Sequence, residues 1–338
     1  MESLAVKYRP ATFAEVCSQE ATVRILSKMA ERRTFKNTLL FCGASGCGKT
    51  TIARIFADMV NQHQGLPIEI DGASNNGVEN IRDIVRSATE RSLNSEYKIY
   101  IIDECHALTS QAWQAFLKCI EEPPHYTIFI FCTTDPQKIP QTILNRVMRF
   151  NFNRIPSSVI YDRLMYICKQ EGFTNYKETC DYISRISNGG MRDAIALLEK
   201  CAEYSTDLDI KNSFACIDHF SYELFFKLIN FLIDGKEGDT LKIINEIYFN
   251  GDNLKLFEEQ FLVFCLDVLK YSLFKSVELT KIPSSLQNQL EAVVNFDNAS
   301  TYYSYVVDKL LAVKNMLKED QDVKSTLEIG LLNIARCK

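Results

Sequence analysis

The run "GASGCGKT" (Gly43–Thr50) fits the pattern G-x-x-x-x-G-K-[ST]. At ordinary glycine usage, a chance match in a chain of this length has a probability of roughly 1%. Gly43, Gly46 and Gly48 let backbone N–H groups turn inward around an anion. Ala44, Ser45 and Cys47 fill the loop between them. Lys49 follows as a cation that can reach β- and γ-phosphates, Thr50 as a hydroxyl that can ligate Mg²⁺, and Thr51 closes the turn. A second group lies at "KIYIIDECH" (Lys98–His106), where an apolar run ends in Asp103–Glu104. Carboxylates at a buried strand end are costly unless a cation or water uses them. Asp103 suits a Mg²⁺ ligand and Glu104 suits a group that polarises an attacking water. Alone, such a pair can also simply cap the next helix.

Three further positions gain meaning only beside these. "FCTTDPQKIP" ends an apolar run with Thr133 and Thr134. A hydroxyl there can touch a γ-phosphate or its water, or cap a turn. "GGMRDAIALLEK" places Arg192 in the first turn of a helix, where a cation opposes the macrodipole unless an anion is near. Arg146, in "TILNRVMRF", has no local partner that its neighbours in sequence reveal.

Positioning these groups requires strands that end beside helix starts. Residues 38–42, 67–71, 98–103, 127–132 and 148–152 read as β runs. Between them lie amphipathic stretches such as "EATVRILSKMAER", "KTTIARIFADMV", "VENIRDIVRSATER" and "SQAWQAFLKCIEE". That alternation predicts a parallel sheet covered on both faces, an α/β architecture. After Pro156 the β signal stops. Residues 157–217 predict three helices, and residues 218–338 a helical bundle with breaks near "DGKEG", "NGDN", "KIPSS" and "NFDNAS".

The 338 residues suffice for two or three domains. With 46% hydrophobic and 24% charged residues, the chain has a soluble globular composition. The net charge of −5 excludes a uniformly basic surface, though a few focused lysines can still track phosphates. No apolar run approaches about 18 residues, and the N-terminus has no apolar signal segment, so an intracellular protein is expected. The twelve cysteines form no C-x-x-C pair, and most lie in apolar runs. They predict buried free thiols rather than disulfides or a zinc site. A redox role for Cys47 or Cys105 is the minor alternative, and His106 reads as a local hydrogen-bonding residue.

Taken together, "KYRPATFAEVCSQE", "GASGCGKTT", "IEIDGASNNGVENIRDI", "IIDECHALTSQAWQAFLKCIEEPP", "TTDPQKIPQTILNRV" and "GGMRDAIALLEK" resemble the AAA+ ATPases. Within them they resemble the gamma/tau subunits of bacterial DNA polymerase III, the motor subunits of the sliding-clamp loader. The resemblance spans residues 7–200 by motif and the remainder by helical character. It implies an AAA+ ATPase domain (1–156), a helical lid (157–217) and an all-α collar (218–338). It implies that Tyr8, Arg9, Pro10 and Val16 lie beside the adenine of ATP. Gly43 to Thr51 would form the P-loop, Thr50 and Asp103 the Mg²⁺ site, and Asp103–Glu104 the Walker B pair. Thr134 matches sensor 1, Arg192 matches sensor 2, and Arg146 matches the arginine finger that completes the site of a neighbouring subunit. Lys118 and Lys138 match lysines facing DNA.

The implied partners are delta- and delta-prime-like loader subunits in a homo- and hetero-oligomeric arc of five subunits, a sliding clamp and primed template DNA. No membrane is implied, and the expected location is the cytoplasm. This chain departs from the family in four ways. The finger's frame is Asn145-Arg146-Val147 rather than Ser-Arg-Cys. Residues 57–67, "ADMVNQHQGLP", replace a four-cysteine zinc module, so no zinc is expected. Asn75 and Gly77 stand where basic residues are frequent. The chain ends with the collar, as a short form without the tau-type tail would. A helicase or branch-migration motor is the first rival reading, and would need a DNA-binding domain after the lid. A non-catalytic scaffold subunit is the second, opposed by the intact Lys49, Asp103 and Glu104.

Overall fold

The computed structural model describes residues 3–217, 220–283, 286–317 and 322–336. They divide into two compact units. One runs to Glu171 and includes Ser187–Glu199; the other comprises Gly172–Ile186 and the chain from Lys200.

The first unit is built on five strands, β1 (Thr38–Gly43), β2 (Ile68–Asp71), β3 (Lys98–Asp103), β4 (Thr127–Thr133) and β5 (Met148–Phe152). Their order is β2-β3-β4-β1-β5 and every pairing is parallel. β1, β3 and β4 are almost wholly buried, because helices cover both faces. That is why they read as unbroken apolar runs rather than alternating ones. α1 (Leu4–Lys7) precedes α2 (Glu20–Arg32) and α3 (Lys49–Val60). Leu26 of α2 and Ile52 and Phe56 of α3 pack with Phe41, Ile101, Ile130 and Phe152. α4 (Val78–Ala88) and α5 (Ser110–Glu121) cover the other face. There Ile81, Trp113 and Phe116 meet Leu40, Tyr100, Phe129 and Phe131. The short α6 (Gln141–Leu144), α7 (Ser157–Glu171) and the start of α9 (Met191–Tyr204) complete this unit.

The parallel register brings the carboxyl ends of β1, β3 and β4 to one edge. Asp71 pairs with Asp103, and Cys42 pairs with Thr133. Ligands of open α/β sheets bind at that edge, where helix N-termini also gather.

The second unit is helical. α8 (Lys177–Ile186) is followed by the end of α9 and α10 (Ile210–Cys216). α10 makes a fourth helix where three were expected over 157–217. It forms because the buried Thr179 hydroxyl of α8 bonds to Leu208 O at 2.7 Å and lies 2.9 Å from Ser213 Oγ, anchoring a short polar-looking segment. Then come α11 (Tyr222–Asp234), α12 (Glu237–Phe249), α13 (Leu254–Phe274), α14 (Gln287–Val293), α15 (Ala299–Met316) and α16 (Val323–Arg336). Gly235 and Gly251, both left-handed, stop α11 and the turn after α12. Phe225, Phe257, Phe261 and Phe264 form an aromatic cluster between α11 and α13. Among the described residues, no helix is long and apolar enough to cross a membrane. The described cysteines are free thiols, all buried except Cys17; Cys337 lies outside the described residues.

Glu258 of α13 is an anomaly in this bundle. It is 1% exposed, and its Oε1 has no hydrogen-bond partner. Burial pushes its carboxyl up to about 7, with Glu259 adding to the rise and Lys314 of α15 opposing it. The folded state therefore keeps a proton that the unfolded chain releases above the ordinary carboxylate range. Stability should fall as pH rises from that range to about 7 and level off above it, by a few kcal/mol at most. Urea unfolding of the helical unit should show this slope in the wild type, and Glu258→Gln should flatten it. An equal slope in both chains would contradict it.

Candidate functional site

The P-loop leaves β1 at Gly43 and enters α3 at Lys49. Gly46 (φ +69°) and Gly48 (φ +101°) occupy the left-handed region that lets the loop wrap inward. Crowding adds to this at Gly46, where a Cβ would lie 3.1 Å from Gly190 Cα. The Gly46 carbonyl accepts from Met191 N at 3.0 Å, which docks the start of α9 onto the loop. Lys49 is 6% exposed. Its Nζ donates to Gly43 O and Ala44 O, each at 2.9 Å. A buried ammonium held only by two neutral carbonyls is poised for stronger acceptors.

Thr50 Oγ1 donates to Asp103 Oδ2 at 2.6 Å, and Asp103 Oδ1 accepts from Glu104 N at 3.0 Å. Glu104 itself has left-handed backbone angles, φ 46° and ψ 41°, sparsely populated for a non-glycine residue. Its Oε2 accepts from Thr134 Oγ1 at 3.1 Å and lies 3.1 Å from His106 Nδ1.

Tyr8, Arg9, Pro10, Val16, Gly46, Cys47, Gly48, Lys49, Thr50, Thr51, Asp103 and Arg192 wall a single cavity of about 330 Å³, the size of a small-ligand pocket. Burial and the nearby Arg54 and Arg192 guanidiniums lower the pKa of Arg9. Arg9, Arg54, Arg163 and Arg192 thus line the cavity against two carboxylates, Asp103 and Glu69, the latter paired with Arg54 at 2.6 Å. The excess positive charge suits a polyphosphate. Together with Lys49 and the Thr50–Asp103 pair, it fits ATP with Mg²⁺.

The segment bearing Tyr8 is clasped in place. Arg163 Nη2 donates to Tyr8 O at 2.9 Å, Tyr8 OH donates to Glu171, and Lys7 Nζ lies 2.6 Å from Glu171. Burial, then Glu171, raise the Tyr8 hydroxyl to about 12. Burial also pushes the Cys42, Cys47, Cys105 and Cys132 thiols up. Burial disfavours their thiolate forms, which argues against a redox role for Cys47 and Cys105.

The remaining expected residues lie apart from the cavity. Gly43, Ala44 and Ser45 form the loop without lining it, and Glu104 and Thr134 pair with each other beside it. Arg146 is not in the cavity wall. Its Nε pairs with Glu121 Oε1 at 2.7 Å at the end of α5, and its Nη1 donates to Thr142 O at 2.6 Å. Lys118 and Lys138 are exposed, Lys138 3.5 Å from Asp135. Sequence reasoning missed Arg54, Glu69, Gln19 and Arg163. Arg54 was detectable as the residue one turn after Thr50. Gln19 was not, because its role is a two-way hydrogen bond with the distant Asn153 backbone.

A parallel sheet of this order, with a P-loop after β1, an acidic end to β3 and a polar end to β4, defines an AAA+ P-loop protein. The fold matches the Thermotoga maritima RuvB Holliday junction branch migration motor with a TM-score of 0.53 at 18% identity, over 67% of this chain and 79% of that one. A family model described as "DNA polymerase III, delta subunit" matches residues 68–156. DNA polymerase III subunit tau of Bacillus subtilis is 36% identical over 80% of this chain and 52% of its own length. DNA polymerase III subunit gamma of Buchnera aphidicola is 33% identical over 72% of this chain and 73% of its own length. The chain belongs to the DNA polymerase III gamma/tau subunit family. It spans about half the length of the first relatives it matches.

Gly46→Ala should destabilise the chain by about 1 kcal/mol and weaken nucleotide binding, since the side chain opposes a left-handed φ and crowds Gly190. Thermal unfolding and a nucleotide titration check this. An unchanged affinity would mean that the loop's curvature does not hold phosphates.

Proposed function

We propose that this chain is the ATP-driven motor subunit of a DNA sliding-clamp loader. The observation that carries the reading is the hydrogen-bonded run from Thr50 through Asp103 to Glu104 and Thr134, with the buried Lys49 preceding Thr50 in the P-loop, complete within one unit. Lys49 would exchange the Gly43 and Ala44 carbonyls for β- and γ-phosphate oxygens. Arg9 and Arg192 would neutralise further charge, and Tyr8, Pro10 and Val16 would flank the adenine. Thr50 and Asp103 would hold Mg²⁺, which supplies charge neutralisation on the phosphates. Glu104 would polarise the attacking water and Thr134 would fix its carboxylate.

Arg146 would act in the neighbouring subunit's site. Its distance from the cavity wall and its half-exposed pairing with Glu121 fit a group that one chain alone leaves unused. The domain plan would be an ATPase domain to residue 156, a lid to 217 and a collar beyond. The motor would act in the cytoplasm, in an arc of five subunits with delta- and delta-prime-like partners. ATP binding would order the arc to open the clamp around primed template DNA, with Lys118 and Lys138 facing its phosphates. The cysteine-free stretch 57–67 supports an assembly without zinc in this subunit.

Lys49→Ala should abolish ATP binding. Glu104→Gln should bind ATP and lose hydrolysis, because the two residues divide phosphate holding from water activation. Equilibrium ATP binding and ATPase assays, with clamp and primed DNA added separately and together, check both. Joint stimulation by clamp and primed DNA supports the loader reading. Stimulation by branched DNA without a clamp would favour a branch-migration motor, and normal ATP affinity in Lys49→Ala would overturn the site.

A further inference from the structure

We infer that His106 is a positioning residue for Glu104, holding its carboxylate in the orientation that leaves one oxygen for water. The inference rests on the reading of Glu104 given above. His106 Nδ1 lies 3.1 Å from Glu104 Oε2 and 3.3 Å from Thr133 Oγ1. An ionised carboxylate only accepts hydrogen bonds, so this contact requires the proton on Nδ1. Thr133 is fully buried, and its Oγ1 already accepts from Asp135 N at 3.0 Å. Its second lone pair accepts the Nδ1–H of His106, so the imidazole is hydrogen-bonded to a fixed oxygen while the same N–H faces Glu104. Thr134 Oγ1 donates to the same Oε2 at 3.1 Å. One hydrogen bond, from Thr134, and one close N–H contact, from His106, thus meet the same oxygen of Glu104, and Oε1 is used by neither.

Local chain geometry explains why a second donor is needed. Glu104 sits in left-handed backbone as the cap of a single helical turn, Cys105–Ala107. Cys105 is fully buried and pins that turn, while the bond from Ala107 N to Glu104 O at 3.0 Å closes it. His106 is thereby turned back toward the carboxylate two residues before it. A strained backbone does not by itself fix the side chain of a half-exposed glutamate. A hydrogen bond from the end of β4 and the His106 N–H contact from the turn after β3 do so together.

The test uses the full chain in the ATPase assay with clamp and primed DNA. His106→Ala should lower kcat about tenfold or more, the scale of lost outer hydrogen bonds, with KM changed by less than about twofold. ATP affinity and melting temperature should stay at wild-type values. His106→Asn places an amide nitrogen where Nδ1 lies and should recover most of the rate. His106→Gln reaches the Nε2 position instead and should not. A purely structural histidine would not separate Asn from Gln. Wild-type kcat in His106→Ala, or equal rates for Asn and Gln, overturns the inference while leaving Glu104 in place if Glu104→Gln is inactive. Wild-type turnover in Glu104→Gln overturns the role of Glu104 and this inference with it.

Discussion

The hydrogen bond from Thr50 Oγ1 to Asp103 Oδ2, at 2.6 Å, joins the two halves of the site. Thr50 belongs to the helix that the P-loop opens, and Asp103 to the strand two positions away in the sheet. Everything else falls in place around that bridge. Asp103 in turn receives Glu104 N, which sets where the second carboxylate starts. The parallel register of β3 on β4 places Thr133 and Thr134 opposite that carboxylate. Thr50 and Asp103, bonded to each other here, are the two residues that would hold Mg²⁺.

The fold accepts local costs to keep this arrangement. Lys49 is buried with only neutral partners, Glu104 sits in left-handed backbone, and four arginines line one cavity. Each is unfavourable in isolation, and strain of this kind concentrates where a ligand later relieves it. The apolar layers on the two sheet faces supply the stability that offsets these costs. They run from Leu26 through Phe41 to Phe152 on one side and from Ile81 through Tyr100 to Phe131 on the other.

Features set by local rules were legible in the sequence. The P-loop reads directly because Gly46 and Gly48 must adopt positive φ and its lysine must open a helix. The five strands read because burial on both faces leaves continuous apolar runs, and the bounds of β3 and β5 coincide with the predicted ones. Features set by long-range approach were not legible. The pairing of Arg146 with Glu121, of Arg54 with Glu69 and of Gln19 with Asn153 depends on where elements meet in space. The helix at Ile210–Cys216 was missed because it is only seven residues long and its anchor is a buried threonine on α8. The fate of Glu258 was equally hidden, since a glutamate beside another glutamate reads as a solvated face.

The central claim is that one chain holds all but one of the charges the reaction needs, and that Arg146 of the adjacent chain provides the last. Mixing two defective chains in one assembly tests it most directly. An Arg146→Ala chain and a Lys49→Ala chain should each be inactive in the assembled loader, with Arg146→Ala still binding ATP. Arginine fingers contribute on the order of 10³-fold or more in related phosphate chemistry, so recovery at the wild-type interfaces of a mixture should be plain. The account predicts that mixing restores hydrolysis. If mixing restores nothing, or if the isolated Arg146→Ala chain already fails to bind ATP, Arg146 serves its own chain and the shared-site account is wrong.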